Sequence, residues 1–186
     1  MSKTFETLPG TLDAVWQRLA RGVADRRAPA RHPVLATAGQ NGGAAARVVV
    51  LRAADRANAR IEVHTDTASG KIAEVTADPA CALVVWDPRA QVQIRLTATA
   101  SILSGADAAG RWARIPEGAR TNYGGAPAPG TPLADPAEHR PGATFDRFAV
   151  LDLRIDAIET LHLGRDRHRR ARFERADGFA GRWIAP

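Results

Sequence analysis

Hydroxyl and basic side chains cluster where the sequence changes from a strand pattern to a helix pattern. His64 and Thr65 end a predicted strand, and Ser69, Gly70 and Lys71 stand at the start of a predicted helix. The first turn of a helix offers unpaired N–H groups and the positive end of the helix dipole. Hydroxyl and ammonium groups beside it can donate hydrogen bonds to the oxygens of an anion. The arrangement therefore predicts a binding site for phosphate or a similar anion.

A second basic segment precedes this one and reads Arg-Val-Val-Val-Leu-Arg at residues 47–52. Arg47 falls on a neighbouring predicted strand, where its guanidinium could hold an anion through two parallel hydrogen bonds. Taken singly, each feature has a plainer explanation. Ser69 could merely cap its helix, and Arg47 and Arg52 could be solvated strand residues.

A third segment, residues 91–100, alternates between apolar and polar residues and predicts a strand with one buried face. Gln93 and Arg95 fall on the polar face, where they would meet either water or a ligand. The nearly continuous apolar run at 80–86 predicts a strand buried on both faces, so Trp86 is expected in the core.

The elements that must position these residues are mostly short strands. Apolar spacing over about residues 11–25 predicts an N-terminal amphipathic helix with Thr11 as its N-cap. A second helix is expected near Ser69, and Ser104 is expected to cap a third. Residues 117–143, rich in Gly, Pro and Ala, predict a long loop. The predicted strands are 34–38, 44–53, 60–65, 80–86, 91–100, 145–155, 170–175 and 182–184, with 158–163 as a further candidate.

Short strands joined by tight turns, without regular βαβ alternation, indicate an antiparallel barrel or sandwich. We therefore expect a mainly β fold with peripheral helices (an α+β class) and a single domain over residues 1–186. The sequence contains no GxGxxG, complete P-loop or GxSxG pattern, which argues against a Rossmann site, a P-loop NTPase and a serine hydrolase. His162 and His168 have no helical metal-site spacing, so no metal site is predicted.

Composition points to a small anionic ligand rather than to a polymer. The formal net charge is +6, and all but two of the 26 basic residues are Arg. Aromatic residues, which would have to stack on bases, are only 5% of the chain, so no nucleic-acid partner is expected. No apolar run approaches the roughly 20 residues of a membrane span, and the start lacks a signal-peptide core. With Cys81 as the single cysteine, these features predict a cytoplasmic protein with no membrane contact.

Taken in order, these segments resemble the pyridoxamine 5′-phosphate oxidase family, the FMN-binding split barrels. Similar to the family's motifs are RVVVLR at 47–52, HT at 64–65, SGK at 69–71, DPACALVVW at 78–86 and QIR at 93–95. The final residues Arg-Trp-Ile-Ala-Pro, at 182–186, are similar to the family's terminus. The resemblance covers roughly residues 30–186.

The resemblance implies a six-stranded antiparallel split barrel, a homodimer with FMN between its subunits, and an FMN-dependent oxidoreductase. Arg47 and Lys71 would hold the FMN phosphate with help from Thr65 and Ser69. The cofactor-binding residues that it implies are Arg47, Val48, Val49, Leu51, Arg52, His64, Thr65, Ser69, Gly70, Lys71, Gln93, His162 and Arg172.

On the substrate side the sequence departs from the family. The implied substrate-binding residues are Arg52, Arg111, His168 and Arg170. Gly70 replaces an Arg of the family's Ser-Arg-Lys motif, which removes one phosphate ligand. We therefore expect an altered substrate, and no catalytic residue is assigned. The alternatives are a barrel that binds deazaflavin F420 or haem, and a flavin carrier or sensor without turnover.

Overall fold

The computed structural model describes residues 3–186, and its main feature is an antiparallel sheet of nine strands. In chain order the strands are β1 Val34–Ala38, β2 Ala44–Val48, β3 Leu51–Asp55, β4 Arg60–Asp66, β5 Ala80–Asp87, β6 Val92–Ser104, β7 Asn122–Tyr123, β8 Gly142–Ala143, β9 Phe148–Leu163, β10 His168–Glu174 and β11 Arg182–Ile184. The strand order of the sheet is β11-β10-β9-β6-β5-β1-β2. In addition, β4 pairs with β9 on one edge and with β3 on the other. β7 and β8 form a separate, parallel pair. The predicted mainly β, antiparallel architecture is confirmed.

The longest strand, β9, joins the two parts of the sheet. Its first half pairs with β4 and its second half with β10, while β6 runs beside both halves. The predicted strands 145–155 and 158–163 are therefore one strand. Asp156 interrupts the alternation without ending the strand, because the pairing with β6 shifts register there, between Thr97 and Ala98.

The predicted strand 44–53 is instead two strands with different partners. β2 pairs with β1, whereas β3 pairs with β4. The chain crosses between them at Val49 and Val50, which belong to neither strand. This break and the added strands β10 and β11 account for a sheet with more strands than the six expected.

The four α-helices of the described chain lie around the sheet: α1 Leu8–Ala24, α2 Gly70–Ala77, α3 Ala109–Ala113 and α4 Glu117–Arg120. The first helix begins earlier than predicted, because Thr7 is its N-cap and accepts a hydrogen bond from the Gly10 N–H. Thr11, the predicted cap, is a buried residue inside that helix. Ser104 makes no side-chain cap, and the predicted third helix is a 3-10 turn followed by the short α3. The predicted loop 117–143 contains α4, β7 and β8.

The core lies between the inner face of the sheet and α1. Alternate residues of β5 and β6, among them Leu83 and Leu96, are fully buried together with Leu19 of α1. Cys81 is buried as predicted, but Trp86 is 44% exposed. The prediction of a strand buried on both faces is wrong, because the outer face of β5 is open to solvent at Trp86.

A second, smaller apolar cluster lies on the other face of β9. Phe148 and Val150 of β9 pack there with Tyr123 and with Trp112 of α3. The rings of Phe148 and Tyr123 meet edge to face at 5.0 Å. Through this cluster, α3 and the segment that follows it pack against β4 and β9. No helix of residues 3–186 is both long and apolar enough to cross a membrane. Met1 and Ser2 lie outside the described residues, so a single domain over 1–186 stays a prediction.

Candidate functional site

The predicted anion-binding residues come together at the start of α2. The Lys71 ammonium donates to the Thr65 hydroxyl at 3.0 Å, and the hydroxyls of Thr65 and Ser69 are 2.9 Å apart. Thr65 and Ser69 are buried, and Lys71 is half-buried. Thr65 is the penultimate residue of β4, so the strand end and the helix start lie together as the sequence pattern indicated.

Ser69 does not cap its helix in the usual way. It stands at the N-cap of α2 in an extended conformation, but its side chain makes no hydrogen bond to the helix backbone. Its hydroxyl faces Thr65 instead. The plain capping role considered for Ser69 is therefore not what its side chain does, and the first turn of α2 keeps N–H groups for another acceptor.

Arg47 reaches the same region from β2. Its guanidinium donates to the Thr37 hydroxyl and to the Glu74 carboxylate, both at 2.5 Å. The Thr37 hydroxyl also donates to Glu74, at 2.6 Å. Arg47 is thus a partly buried, oriented cation and not a solvated strand residue. Glu74, one turn after Gly70 on α2, was not singled out by the sequence; its i+3 spacing from Lys71 was the available signal.

Burial and neighbouring charges shift the pKa values of Lys71 and Glu74 in this cluster. Burial, with the nearby Arg47 guanidinium, lowers the pKa of the Lys71 ammonium below its usual value, although Glu74 and Asp66 oppose the shift. Burial by itself would raise the pKa of the Glu74 carboxyl, but hydrogen bonds from Thr37 and Arg47 outweigh it and hold that pKa below its usual value. Glu74 therefore carries its negative charge beside the two cations at neutral pH.

In residues 47–52, two of the apolar side chains point into the core, so a ligand beside this segment would meet its backbone. Val48 is 64% exposed on the outer face of β2, whereas the side chains of Val49 and Leu51 are buried in the core. Arg52 occupies a β-bulge, because the pairing of β3 with β4 shifts register between Leu51 and Ala53. Bulges often re-aim a side chain next to a binding site. Here Arg52 lies close to Tyr123: burial raises the pKa of the Tyr123 phenol, and the positive charge of Arg52 opposes that shift.

His64 lies beside Arg52 on the outer face of β4. Its ring meets Phe148 edge to face at 5.0 Å. Burial, followed by the positive charge of Arg52, lowers the pKa of His64 from 6.5 to about 4. Within residues 3–186, His64 Nδ1 and Arg52 Nε are buried without a hydrogen-bond partner. Two polar atoms are thus left available to a ligand at this point.

The four predicted substrate residues fall into two groups within one chain. Arg111 of α3 forms an ion pair with Glu62 at 2.7 Å, and both Arg111 and Arg52 act on the charge of His64. His168 and Arg170 lie on β10, which pairs with the opposite end of β9 from β4. They line a cleft of about 400 Å³ that Trp183 of β11 also borders.

Three predicted cofactor residues lie near this second group rather than near α2. Gln93 of β6 pairs across the sheet with Trp86 on one side and Leu161 on the other. The His162 ring stacks on Phe5 at 4.4 Å, and Arg172 of β10 forms an ion pair with Glu174 at 2.7 Å. One chain therefore does not gather all the predicted residues into a single site.

A buried carboxylate that the sequence did not point out connects α2 to the long segment after α4. Asp66 accepts hydrogen bonds from the Gly124 N–H at 2.8 Å, the Ala68 N–H at 2.8 Å and Arg147 Nε at 2.9 Å. An Asp one residue beyond the Thr of a strand end carries no specific sequence signal. No cluster of three metal-ligating side chains occurs in the described part of the chain.

Comparisons with known proteins agree with this architecture. Residues 13–104, about half of the chain, match the family model described as the pyridoxamine 5′-phosphate oxidase FMN-binding domain. No curated protein sequence matches the chain significantly.

Solved structures match the whole fold. A pyridoxamine 5′-phosphate oxidase-related, FMN-binding protein from Nostoc punctiforme is similar with a TM-score of 0.77 and 24% identity, over 94% of this chain and 96% of that one. PhzG from Burkholderia lata, crystallised with tetrahydrophenazine-1-carboxylic acid, has a TM-score of 0.71 and 21% identity, over 96% and 92%. A general stress protein 26-related protein from Clostridium acetobutylicum has a TM-score of 0.59 and 14% identity, over 95% and 99%.

At these identities the structural likeness establishes the fold, and the fold is the split barrel that the family resemblance implied. The family model matches the segment that holds β1 to β6 and α2, where the anion cluster lies. Sequence motifs, fold and family model agree, and the chain belongs to the pyridoxamine 5′-phosphate oxidase-like split-barrel family as a divergent member.

Proposed function

We propose that this protein binds FMN through the cluster at the start of α2 and acts as an FMN-dependent oxidoreductase on a small molecule. The observation that supports the proposal is the contact of Lys71 with Thr65, and of Thr65 with Ser69, at the N-terminus of α2, with Arg47 bound to Glu74 one turn further along the helix. Cations, hydroxyl donors and free helix N–H groups are the donor set that a phosphate requires.

The remaining residues fit a flavin at a subunit interface. The outer sheet face exposes a row of apolar side chains, because Val34 pairs with both Val48 and Val84 across β1, β2 and β5. Val48 is 64% and Trp86 44% exposed on this face. Exposed apolar surface of this kind marks a site for a partner or ligand. We propose that a second copy of the chain covers this face.

A bound flavin would accept a hydride or two electrons at its N5 atom. The protein's own residues would then bind and orient. Arg47 and Lys71 would fix the phosphate, and the backbone of residues 47–52 would border the ring. Gln93 would donate to the polar edge of the ring, from the same or the facing subunit.

The substrate site is proposed to lie around Arg52 and Arg111, with His168 and Arg170 contributed across the interface. Three of these four side chains are Arg, and His64 beside them is held neutral at pH 7 by burial and nearby arginines. This favours an anionic small molecule. Tyr123 lies close to Arg52, and its ring packs with Trp112 in the smaller apolar cluster.

The proposal is tested first by the absorbance spectrum and mass of the ligand that copurifies with the full chain. Next, the double variant Arg47→Ala, Lys71→Ala should lose several kcal/mol of FMN binding, because each charged hydrogen bond contributes about 1.5–3 kcal/mol. Fluorescence titration of the apoprotein with FMN measures the loss.

The matched control is Arg21→Ala, which removes an exposed arginine of α1 and should leave the FMN dissociation constant unchanged. A double variant that binds FMN as tightly as the unmodified chain would contradict the phosphate assignment. Flavin binding without reduction by any nicotinamide donor would instead favour a carrier or sensor.

A further inference from the structure

The Arg47 guanidinium has two hydrogen-bond partners inside the chain. Its Nη1 group donates to the Thr37 hydroxyl and its Nη2 group to Glu74 Oε2, both at 2.5 Å. The Thr37 hydroxyl donates to the same Glu74 oxygen at 2.6 Å. Arg47, Thr37 and Glu74 thus form a closed triangle of hydrogen bonds, which ties the cation of β2 to a carboxylate of α2.

Glu74 carries its negative charge within this triangle. Its side chain is 11% exposed and that of Arg47 24%, so water and salt screen the pair less than they would an exposed one. Burial would raise the pKa of the Glu74 carboxyl, but hydrogen bonds from Thr37 and Arg47 hold that pKa below its usual value. Arg47 therefore already has an anionic partner at neutral pH.

A carboxylate and a phosphate are alternative partners for one guanidinium. Both accept its N–H groups through two oxygens in the same fork geometry. The triangle uses the two ends of the Arg47 fork, Nη1 and Nη2. A phosphate that binds Arg47 must therefore share these donors with Glu74 or displace it.

Glu74 also lies where it would repel a phosphate held by Lys71. The two residues are three positions apart on α2, so their side chains are neighbours on the helix surface. Glu74 acts on the charge of Lys71, and Arg47, Lys71 and Glu74 together carry one net positive charge. A phosphate monoester brings about −1.5 to −2 charges at pH 7, which is more than this cluster neutralises.

We propose that Glu74 is a specificity-determining residue that competes with the flavin phosphate for Arg47 and so limits the preference of the site for FMN over riboflavin. This inference rests on the proposed flavin function and assigns a role within that same site. Riboflavin has the same ring system without the phosphate. The ratio of its dissociation constant to that of FMN therefore measures what the phosphate contributes to binding.

The test measures this ratio by fluorescence titration of the full-length apoprotein with FMN and with riboflavin. Glu74→Gln keeps the length of the side chain and an oxygen acceptor for Thr37, but it removes the charge. FMN should bind this variant about tenfold more tightly, a gain of about 1.4 kcal/mol, while the riboflavin constant stays within about twofold.

A second variant and a matched control keep the result interpretable. Glu74→Asp keeps the charge and withdraws the carboxylate from Arg47 by one methylene, so it should raise the ratio less than Glu74→Gln. Asp78→Asn removes an exposed carboxylate at the other end of α2 and keeps an oxygen acceptor for the Ala80 N–H. It should change neither constant, because the eight residues of α2 place it roughly 12 Å from the helix start, beyond a Debye length of about 8 Å.

The outcomes separate this inference from the function on which it rests. With folding verified by circular dichroism, an unchanged or lower ratio in Glu74→Gln would overturn the inference, because Glu74 would then support Arg47 instead of competing for it. An equal change in FMN and riboflavin binding would overturn it too, since the substitution would then act on the ring or on the fold. Both results leave the proposed function standing, whereas failure of the unmodified chain to bind either flavin would overturn both.

Discussion

At the scale of single residues, the site is distinguished by polar groups that the fold buries without satisfying. His64 and Arg52 each keep a buried nitrogen without a hydrogen-bond partner in the described chain. Such groups reduce folding stability unless a ligand completes them. We interpret the cost as a consequence of keeping the site ready for an anion.

His64 should make stability depend on pH. Its pKa is about 4 in the folded chain against 6.5 in the reference state, so between these values the unfolded chain binds a proton that the folded chain does not. Stability contributed by the neutral ring is present above pH 6.5 and is lost as pH falls towards 4. The loss approaches about 3 kcal/mol at its largest, at about 1.4 kcal/mol per pKa unit.

The measurement is the urea midpoint between pH 4 and pH 7 for the unmodified chain and for His64→Phe, which keeps a ring against Phe148. The variant should lack this part of the pH dependence. His32→Phe, at an exposed position, is the control and should retain it. An unchanged pH profile in His64→Phe would show that the folded ring titrates normally.

At the scale of elements, the start of α2 is fixed by three neighbours. β4 delivers Thr65, β1 delivers Thr37 to Glu74, and Asp66 ties α2 to the segment around Gly124. The segment 117–143 has little secondary structure of its own, and it is held by the hydrogen bond from Gly124 to Asp66 and by the packing of Tyr123 against Phe148. Because Asp66 adjoins Thr65 in β4, we expect the hydrogen bond from Gly124 to help position the anion cluster.

Asp66→Asn should loosen this segment. The substitution removes the charge paired with Arg147 and should cost about 2–3 kcal/mol of unfolding free energy, somewhat below the value for a fully buried ion pair because Arg147 is partly exposed. Hydrogen exchange should quicken at Gly124 and its neighbours. Glu138→Gln, an exposed change in the same segment, should affect neither measurement. Unaltered exchange at Gly124 in Asp66→Asn would refute the tether.

At the scale of the whole molecule, the sheet has one face buried against α1 and one face largely open between β2 and β6. The predicted site residues lie at both ends of β9, one group near α2 and one on β10. A single chain cannot bring the two ends of a 16-residue strand together, since such a strand spans roughly 50 Å. A second copy is the simplest way to complete the proposed site.

Val34→Glu should therefore disrupt self-association. Val34 is 37% exposed and pairs with Val48 and Val84, so a carboxylate there would enter the middle of the proposed interface. Sedimentation velocity should show a dimer for the unmodified chain and a monomer for the variant, with weaker flavin binding. Leu133→Glu is the control, because Leu133 is similarly exposed, at 38%, within the 117–143 segment. A monomeric unmodified chain that still binds flavin would contradict an interfacial site.

The sequence by itself determined the elements with strong local signals. Alternation marked β6, the Asn-Gly turn placed the β1–β2 hairpin, and Asp78-Pro79 ended α2. The grouping of Thr65, Ser69 and Lys71 was also predictable, because all three lie within seven residues at one strand-to-helix turn. Local spacing fixes such contacts before any long-range packing forms.

Only the tertiary structure decided which distant residues share the site. Arg47 contacts Glu74 because β1 lies between β2 and α2. The two residues are 27 positions apart in the sequence, and no local pattern encodes their contact. The break at Val49 and Val50, the single long β9 and the exposure of Trp86 follow from which strands become neighbours. Strand pairing joins segments far apart in sequence, so burial and partner choice depend on the whole sheet, whereas helix ends and turns depend on a few adjacent residues.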